Sequence, residues 1–426
     1  MNFSLFIANR FVSSRATSFT RTIINIAVFA VALSMVVMVV ATSLISGFQQ
    51  EINKKIFGFW GHIQITDVNV NRNFESIPVD LFQPFYPSLD TVRRVQFYYS
   101  NLPNASLQST KGGVKHIQAF AIKPGIIKTK NVIEGIVLKG VGQDYDWSFM
   151  QSYLQEGRIL AKNDTNKVRE ILISQQTANR LNVTLNEKFI IFFVNKGAQS
   201  KRVFQICGIY KTGLEEYDRK IALANIEDTQ ELLGWDRTQV SGFEVFLDDI
   251  ADLQPISEYI YAEKLPEKLY ATTIREKFSG IFEWLDLQNI NERVILGLMV
   301  FVAIINMMTA LLILILERTN MIGILKCLGT SDWVIRKIFI YHAAYILLVG
   351  LFWGNLIGLS LCWLQKTFRW IKLTEADYYL SYAPVEISFN TVLMLNGLTL
   401  FVTLLFLLIP SWLVTKVTPI KAIQFK

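Results

Sequence analysis

Four long runs without a charged side chain divide the sequence: Thr22–Gln50, Val294–Leu316, Ile338–Gln365 and Ile387–Thr415. A helix needs ~20 apolar residues to cross ~30 Å of hydrocarbon, and each run is long enough. One lies near the N-terminus and three crowd into the last third. Between the first two, over 51–293, the pattern is polar and mixed. His62–Thr66, Val114–Ile122, Lys188–Val194, Arg202–Tyr210 and Gln239–Leu247 alternate or are β-rich and predict strands, with a hairpin loop beginning Asn195-Lys196-Gly197. Helical spacing falls at 90–101, 147–154, 175–182, 226–233 and 250–264. No strict βαβ repeat appears. The expected fold is a membrane α-helical protein with four transmembrane helices, one plus three, and a large α+β domain inserted between helices 1 and 2.

The apolar spacing continues beyond two of the runs. Phe48, Ile52 and Ile56 extend the first outward, and Ile274, Phe278, Ile281, Phe282, Leu285 and Ile290 lead into the second. Both predict helical stalks. At the N-terminus, Phe3, Leu5, Phe6, Ile7 and Phe11 with Arg10 and Arg15 predict an amphipathic helix on the inner interface. The expected organisation is an interfacial helix over 1–21, the first span and stalk over 22–57, and an α+β domain of one or two subdomains over 58–270. The second stalk and span then cover 271–316, a short loop 317–337, the third span 338–365, a second outer loop 366–387, the fourth span 388–415 and a tail 416–426.

Composition agrees with a membrane part joined to an aqueous one: 51% hydrophobic residues, yet 18% charged. Charge sets the orientation. Basic residues exceed acidic ones in the N-terminal tail, in 317–337 and in the C-terminal tail, whereas 51–293 and 366–386 are nearly balanced. Positive loops stay cytoplasmic. Both termini and the short loop 317–337 are therefore expected in the cytoplasm and the large domain outside. The net charge of +7 reflects this topology and not a nucleic-acid surface. The apolar core Ile23–Ile45 exceeds the 7–15 residues of a signal h-region, so a signal anchor is expected. Cys207, Cys327 and Cys362 fall in three different compartments, which argues against an intrachain disulfide.

Candidate chemistry is sparse. The runs hold no Asp, Glu, Lys or Arg, which disfavours a proton or sodium relay. No G-x-x-x-x-G-K-[ST] is present to cradle ATP phosphates. His62, His116 and His342 lie in different regions without metal-ligand spacing. No catalytic residue, metal or cofactor is expected on this chain. Gly350, Gly354 and Gly358 form a double small-xxx-small ridge for close helix packing. Asn25, Asn306, Asn355 and Asn396 place one amide in each span for interhelical hydrogen bonds, and Pro410 predicts a kink. After the second span, Ile322, Leu325 and Leu328 form an apolar stripe on a short helix. Gly329 is placed to end it, and Thr330-Ser331-Asp332 to cap the next. Such a helix suits docking into a protein groove.

This last stretch, E-R-T-N-M-I-G-I-L-K-C-L-G-T-S over Glu317–Ser331, resembles the E-R-x-x-x-I-G-I-L-K-A-L-G-A-S signature of the FtsX/MacB-like permeases of ABC transporters. Leu5–Phe11, Gly47-Phe48 with Gly61-His62-Ile63, and Gly208–Asp218 (G-I-Y-K-T-G-L-E-E-Y-D) resemble segments of the lipoprotein-releasing branch. The resemblance implies two paired four-span permease subunits, in a homo- or heterodimer, served by a separate cytosolic ATPase dimer that holds ATP and Mg. It assigns ATPase coupling to Glu317, Arg318, Met321, Ile322, Gly323, Ile324, Leu325, Lys326, Leu328 and Gly329. It implies extraction of a lipoprotein from the outer leaflet, among membrane lipids, and delivery to a periplasmic carrier. It further implies an acyl-chain cavity between the permease subunits, along Val36, Val40 and Leu44 of the first span and Leu298, Val302 and Ile305 of the second. A MacB-like exporter of periplasmic peptides or toxins, an FtsX-like permease controlling cell-wall hydrolases, and a non-transporting scaffold are the alternatives. The first usually carries its own ATPase, and the second has a smaller external domain.

Overall fold

The computed structural model describes residues 18–70, 76–98, 106–128, 133–160, 168–195 and 198–416. The interfacial helix expected within 1–21 lies outside them as far as residue 17, as do Lys196-Gly197 of the expected hairpin and the tail from 417 onward. The chain divides into a helical unit (Met1–Gln50, Trp284–Lys372 and Tyr382–Lys426) and a sheet unit (Glu51–Glu283 and Leu373–Ser381).

Among the described residues four helices are long and apolar enough to cross a membrane. The first runs Ser18–Trp60, the second Ser279–Glu317 and the third Asp332–Phe368. The fourth starts as Phe389–Phe406 and continues in two short pieces, Leu408–Ser411 and Leu413–Lys416. Pro410 has no N–H to offer the Phe406 carbonyl and its ring crowds that oxygen, so the helix breaks at Leu407.

Within the helical unit, packing depends on close backbone approach. A Cβ on Gly350 would lie 2.8 Å from Val31 Cβ, one on Gly354 2.6 Å from Met35 Cβ, and one on Gly358 3.3 Å from Val39 Cβ. The glycine ridge of the third helix thus meets three successive turns of the first. Gly47 plays the same part for an irregular segment. A Cβ there would lie 2.7 Å from the Pro384 carbonyl oxygen, and the Glu386 N–H donates to the Ser43 carbonyl at 3.0 Å. Asn355 and Asn396 exchange amide hydrogen bonds of 2.7 and 3.0 Å between the third and fourth helices. Asn25 is exposed and Asn306 half-buried.

Among the described residues the sheet unit contains fourteen strands in chain order: β1 Ile63–Asp67, β2 Val79–Asp80, β3 Gln96–Tyr98, β4 Leu107–Ser109, β5 Val114–Lys128, β6 Ile133–Val141 and β7 Leu154–Gly157. There follow β8 Glu170–Ser174, β9 Lys188–Asn195, β10 Ala198–Tyr210, β11 Ile221–Asn225, β12 Gln239–Val240, β13 Gly242–Leu247 and β14 Leu269–Thr273. Ten of them form one sheet, ordered β14-β1-β13-β5-β6-β11-β8-β10-β7, with β9 pairing both β10 and β5. Most pairs are antiparallel; β10–β8 and β11–β6 are parallel. The long β5 joins two apolar cores. Its first half pairs β13 beside a cluster including Ile63, Phe85, Phe243 and Ile256. Its end pairs β9 beside a cluster including Ile127, Ile171, Phe193 and Phe204.

The helix expected at 90–101 is not formed over its described residues, 90–98. Ser88–Thr91 is a 3-10 turn and β3 follows. The Val114 N–H donates to the Val92 carbonyl at 2.8 Å and the Thr110 N–H to the Val95 carbonyl at 2.9 Å, bonds to distant segments that a helix would forbid. The second stalk is also not one helix: Ile274–Lys277 ends at Phe278, and the long helix restarts at Ser279.

Candidate functional site

The connecting segment after the second long helix folds as a short helix, Thr319–Cys327. It ends as the sequence indicates. Gly329 adopts φ +83°, its N–H donates to the Lys326 carbonyl at 3.0 Å, and the Thr330 N–H donates to the Leu325 carbonyl at 3.0 Å. This is the Schellman arrangement, which a residue with a Cβ adopts only with strain. Ser331 occupies the N-cap of the third helix without a side-chain capping bond. Lys326 ties the turn together instead, 2.8 Å from Asp332 and donating to the Thr415 carbonyl at 3.3 Å.

The orientation of this helix differs from expectation. Ile322 is 0% exposed and belongs to the apolar cluster with Ile315, Ile335, Phe339 and Val414, and Gly323 is buried beside it. Met321 and Leu325 are half-buried against the same cluster. The stripe expected to dock a partner therefore packs inward at Ile322. Ile324 and Leu328, four residues apart, are 56% and 76% exposed, with Asn320 and Cys327 also exposed. The helix has apolar residues on two faces, and only the tertiary structure selects which is free. Glu317 lines a crevice with Ile23, Ile24, Leu314 and Ile346, and Arg318 stands at the N-cap position without a side-chain capping bond.

The residues expected to line an acyl-chain cavity between permease subunits differ in exposure within this chain. Val36, Val40 and Leu44 are half-buried, Val40 and Leu44 against the bundle core and Val36 backbone 3.4 Å from a Cβ on Gly358. Leu298, Val302 and Ile305 are exposed on the second helix. Among the described residues no group of three His, Cys, Asp or Glu side chains is placed to hold a metal ion. The three cysteines are free thiols; Cys207, whose pKa burial raises to about 12, is buried, as is Cys362, and Cys327 is exposed.

Two polar centres in the sheet unit escaped sequence reading. Asp218, in the T-G-L-E-E-Y-D segment, accepts from the Thr212 hydroxyl at 2.6 Å, the Gly213 N–H at 2.9 Å and the Thr212 N–H at 3.1 Å. Burial raises its pKa, and these donors oppose the rise. Lys55 lies beside this loop and donates to the Tyr379 carbonyl at 2.9 Å. The second centre pairs Lys139 of β6 with Glu244 of β13 at 2.7 Å, both side chains fully buried. A lysine inside an apolar run is its sequence signal, visible only once 133–141 is known to be a strand.

A bundle of membrane-length helices with a short connecting helix after the second, carried in one chain with an α+β sheet unit, is the arrangement of a membrane permease. Residues 25–262 match the MacB-like periplasmic core domain, more than half of the chain, and the chain belongs to that family. Residues 293–419 match the FtsX-like permease C-terminal domain. The chain is similar to the lipoprotein-releasing system transmembrane protein LolC of Xylella fastidiosa, 22% identical over 97% of this chain and 96% of that protein. It is similar to LolC of Haemophilus influenzae at 21% identity, and to LolE of that organism at the same 21%, over 100% of each chain.

Proposed function

We propose that this chain is the permease subunit of an ABC transporter that releases lipoproteins from the inner membrane. The observation that carries the reading is the order of parts in one chain. A MacB-like domain is followed by an FtsX-like permease region, over essentially the full length of the lipoprotein-releasing relatives. On this reading the large domain is a periplasmic insertion between the first two spans, and both termini are cytoplasmic. A second permease subunit, LolC- or LolE-like, completes the transporter, and a cytosolic ATPase dimer supplies ATP and Mg chemistry.

The short helix Thr319–Cys327 takes the ATPase through Ile324 and Leu328, while Ile322, Leu325 and Gly323 hold the helix to the bundle. Lys326 and Gly329 fix its end, so a push on the helix reaches the third span through Asp332. The exposed Leu298, Val302 and Ile305 offer the acyl chains an uncharged face, and Val36, Val40 and Leu44 support the bundle behind the first span. Extracting an acyl chain costs ~0.8 kcal/mol per CH₂, so ATP and a periplasmic carrier share the work.

The reading is tested by purifying the complex in lipid with bound lipoprotein and adding ATP with the carrier. Lipoprotein should transfer to the carrier only with ATP. Transfer of a soluble periplasmic peptide instead, or ATP hydrolysis with no cargo, would replace the reading with the exporter or the hydrolase-controlling alternative. Leu328→Asp should lose the ATPase while the chain stays folded, whereas Ile322→Asp should unfold the connecting helix. The reverse pattern would show that the docking face is wrongly assigned.

A further inference from the structure

We propose that Lys139 is a positioning residue that ties the end of the first long helix to the sheet, so that helix end and sheet move as one piece during release; this rests on the function proposed above. The Lys139 ammonium donates to the Phe59 carbonyl at 2.8 Å. Phe59 sits in the last turn of the 43-residue first helix, where carbonyls lack intrahelical partners and the helix dipole favours a cation. Gln64 of β1 approaches the next carbonyl, that of Trp60, at 3.4 Å. Glu244 balances the charge. Its carboxylate accepts from Gln64 at 3.3 Å and from Gln118 of β5 at 2.9 Å. Strands β1, β5, β6 and β13 thus converge on one helix end. The rings of Trp60, Phe59 and Tyr145 surround the ammonium at 5.1, 5.2 and 5.7 Å.

Stability alone does not call for this arrangement. Replacing a buried ion pair by apolar side chains is often neutral or stabilising. An apolar side chain cannot bond a backbone carbonyl, and the Lys139 bond to Phe59 joins the helix end to β6, beyond its chain link and Gln64 contact to β1. Burial lowers the Lys139 pKa, and Glu244 opposes the fall. The chain leaving the sheet unit is built in the opposite way. Ile274–Lys277 is separated from the second long helix by Phe278 at φ −117°, ψ 40°, and nothing lies within 4 Å of a Cβ on Gly280. Lys277 contacts the same network, donating to the Gln64 side-chain oxygen at 2.6 Å. One helix is fixed at the network and the other is broken beside it.

The test compares the wild-type complex, in lipid with its ATPase, with one carrying Lys139→Met/Glu244→Met, which removes both charges together. Hydrogen exchange at the amides of residues 57–61 and lipoprotein released per ATP hydrolysed are read on each. We expect exchange on the order of tenfold faster, as loss of a charged hydrogen bond implies, with ATP hydrolysis retained and release per ATP reduced several-fold. Wild-type exchange, or faster exchange with wild-type release per ATP, overturns the proposal. If the double variant does not accumulate, Lys139→Met, which removes the bond to Phe59 and leaves Glu244 its donors Gln64 and Gln118, is held to the same two outcomes. A wild-type complex that releases no lipoprotein on ATP sinks the proposed function, and the exchange comparison still decides whether Lys139 holds the helix end.

Discussion

The helical unit and the sheet unit bury polar groups in opposite ways. Among the described residues, every buried Lys, Asp or Glu lies in the sheet unit: Lys55, Lys139, Asp218, Glu244 and Asp252. The helical unit buries hydroxyls such as Ser34, Thr399 and Thr403, with Gln365 and His342. Its helices instead meet through glycines. The difference follows from the solvent each unit has before it packs. In water, apolar burial drives the sheet together, and paired charges add direction at little net cost. In lipid, apolar surface gives no such drive, so helices gain from close contact and sparing hydrogen bonds.

The comparison breaks most visibly at Gly354. Its Cβ position lies 2.8 Å from the Ala32 carbonyl oxygen as well as 2.6 Å from Met35 Cβ, and backbone cannot swing aside. Gly354→Leu should cost about 3 kcal/mol or more, seen as loss of the folded fraction in detergent melts. Gly397, with nothing within 4 Å of its Cβ, is the control; Gly397→Ala should melt like wild type. A tolerated Gly354→Leu would mean that the first and third helices do not pack as described.

In the sheet unit, the matching lesion is at a charge. Asp218→Ala removes three hydrogen bonds, two of them closing the loop at Gly213, where φ is +78°. The loss should be about 3 kcal/mol, because buried donors are left unpaired. Chemical denaturation of the full chain would measure it, and an unchanged midpoint would remove Asp218 from the structure's supports.

How much of this was legible in sequence depended on the same contrast. Charge-free runs located all four long helices, because charge is costly in lipid and rare there. The glycine ridge at 350–358 was visible as spacing, though not the partner face at Val31, Met35 and Val39. The strand Ile133–Val141 was not read, since Gly135, Lys139 and Gly140 disguise a run whose interior is buried. Lys139 has a satisfied ammonium because Glu244 arrives from over a hundred residues away and the Phe59 carbonyl accepts from it. The motif and its Gly329 stop locate the connecting helix, but the expected stripe runs through Ile322, which is buried, and misses the exposed Ile324 beside Leu328. Ile322 and Ile324 have the same side chain, and nothing local tells which one meets Ile335 and Phe339.

A pH scan sharpens the comparison, because His62 belongs to the sheet unit and sits where the first helix ends. Its Nδ1 accepts from the Leu247 N–H at 3.1 Å, and its ring stacks on Phe57 with centroids 4.7 Å apart. Burial, with Lys115 adding to it, lowers its pKa from 6.5 to about 4. The unfolded chain then binds more protons between these values, so His62 contributes fully above pH 6.5 and loses its contribution as pH falls toward 4. The loss is up to about 3 kcal/mol. His62→Asn keeps an acceptor without titrating, and its melting temperature should fall less than wild type's between pH 7 and 4. Parallel curves would show that His62 is not the group responsible.

The smallest effect is expected in the helical unit, at its amide pair. Asn355 and Asn396 each donate to the other, and each also donates to its own helix, at the Leu351 and Val392 carbonyls, at 2.7 and 2.8 Å. Removing one partner leaves the other a bond within its own helix, so the lesion is softer than at Asp218. Interhelical hydrogen bonds in lipid contribute ~0.6–2 kcal/mol. Asn355→Leu, Asn396→Leu and the double variant form a cycle whose coupling should fall within about that range and be favourable. The cycle is read from unfolding of the full chain in bicelles, with Asn25→Leu as a comparison on an exposed position of the first helix. A coupling near zero would leave the glycine contacts to hold the third helix in the bundle, and the contrast between the units would then rest on close packing alone.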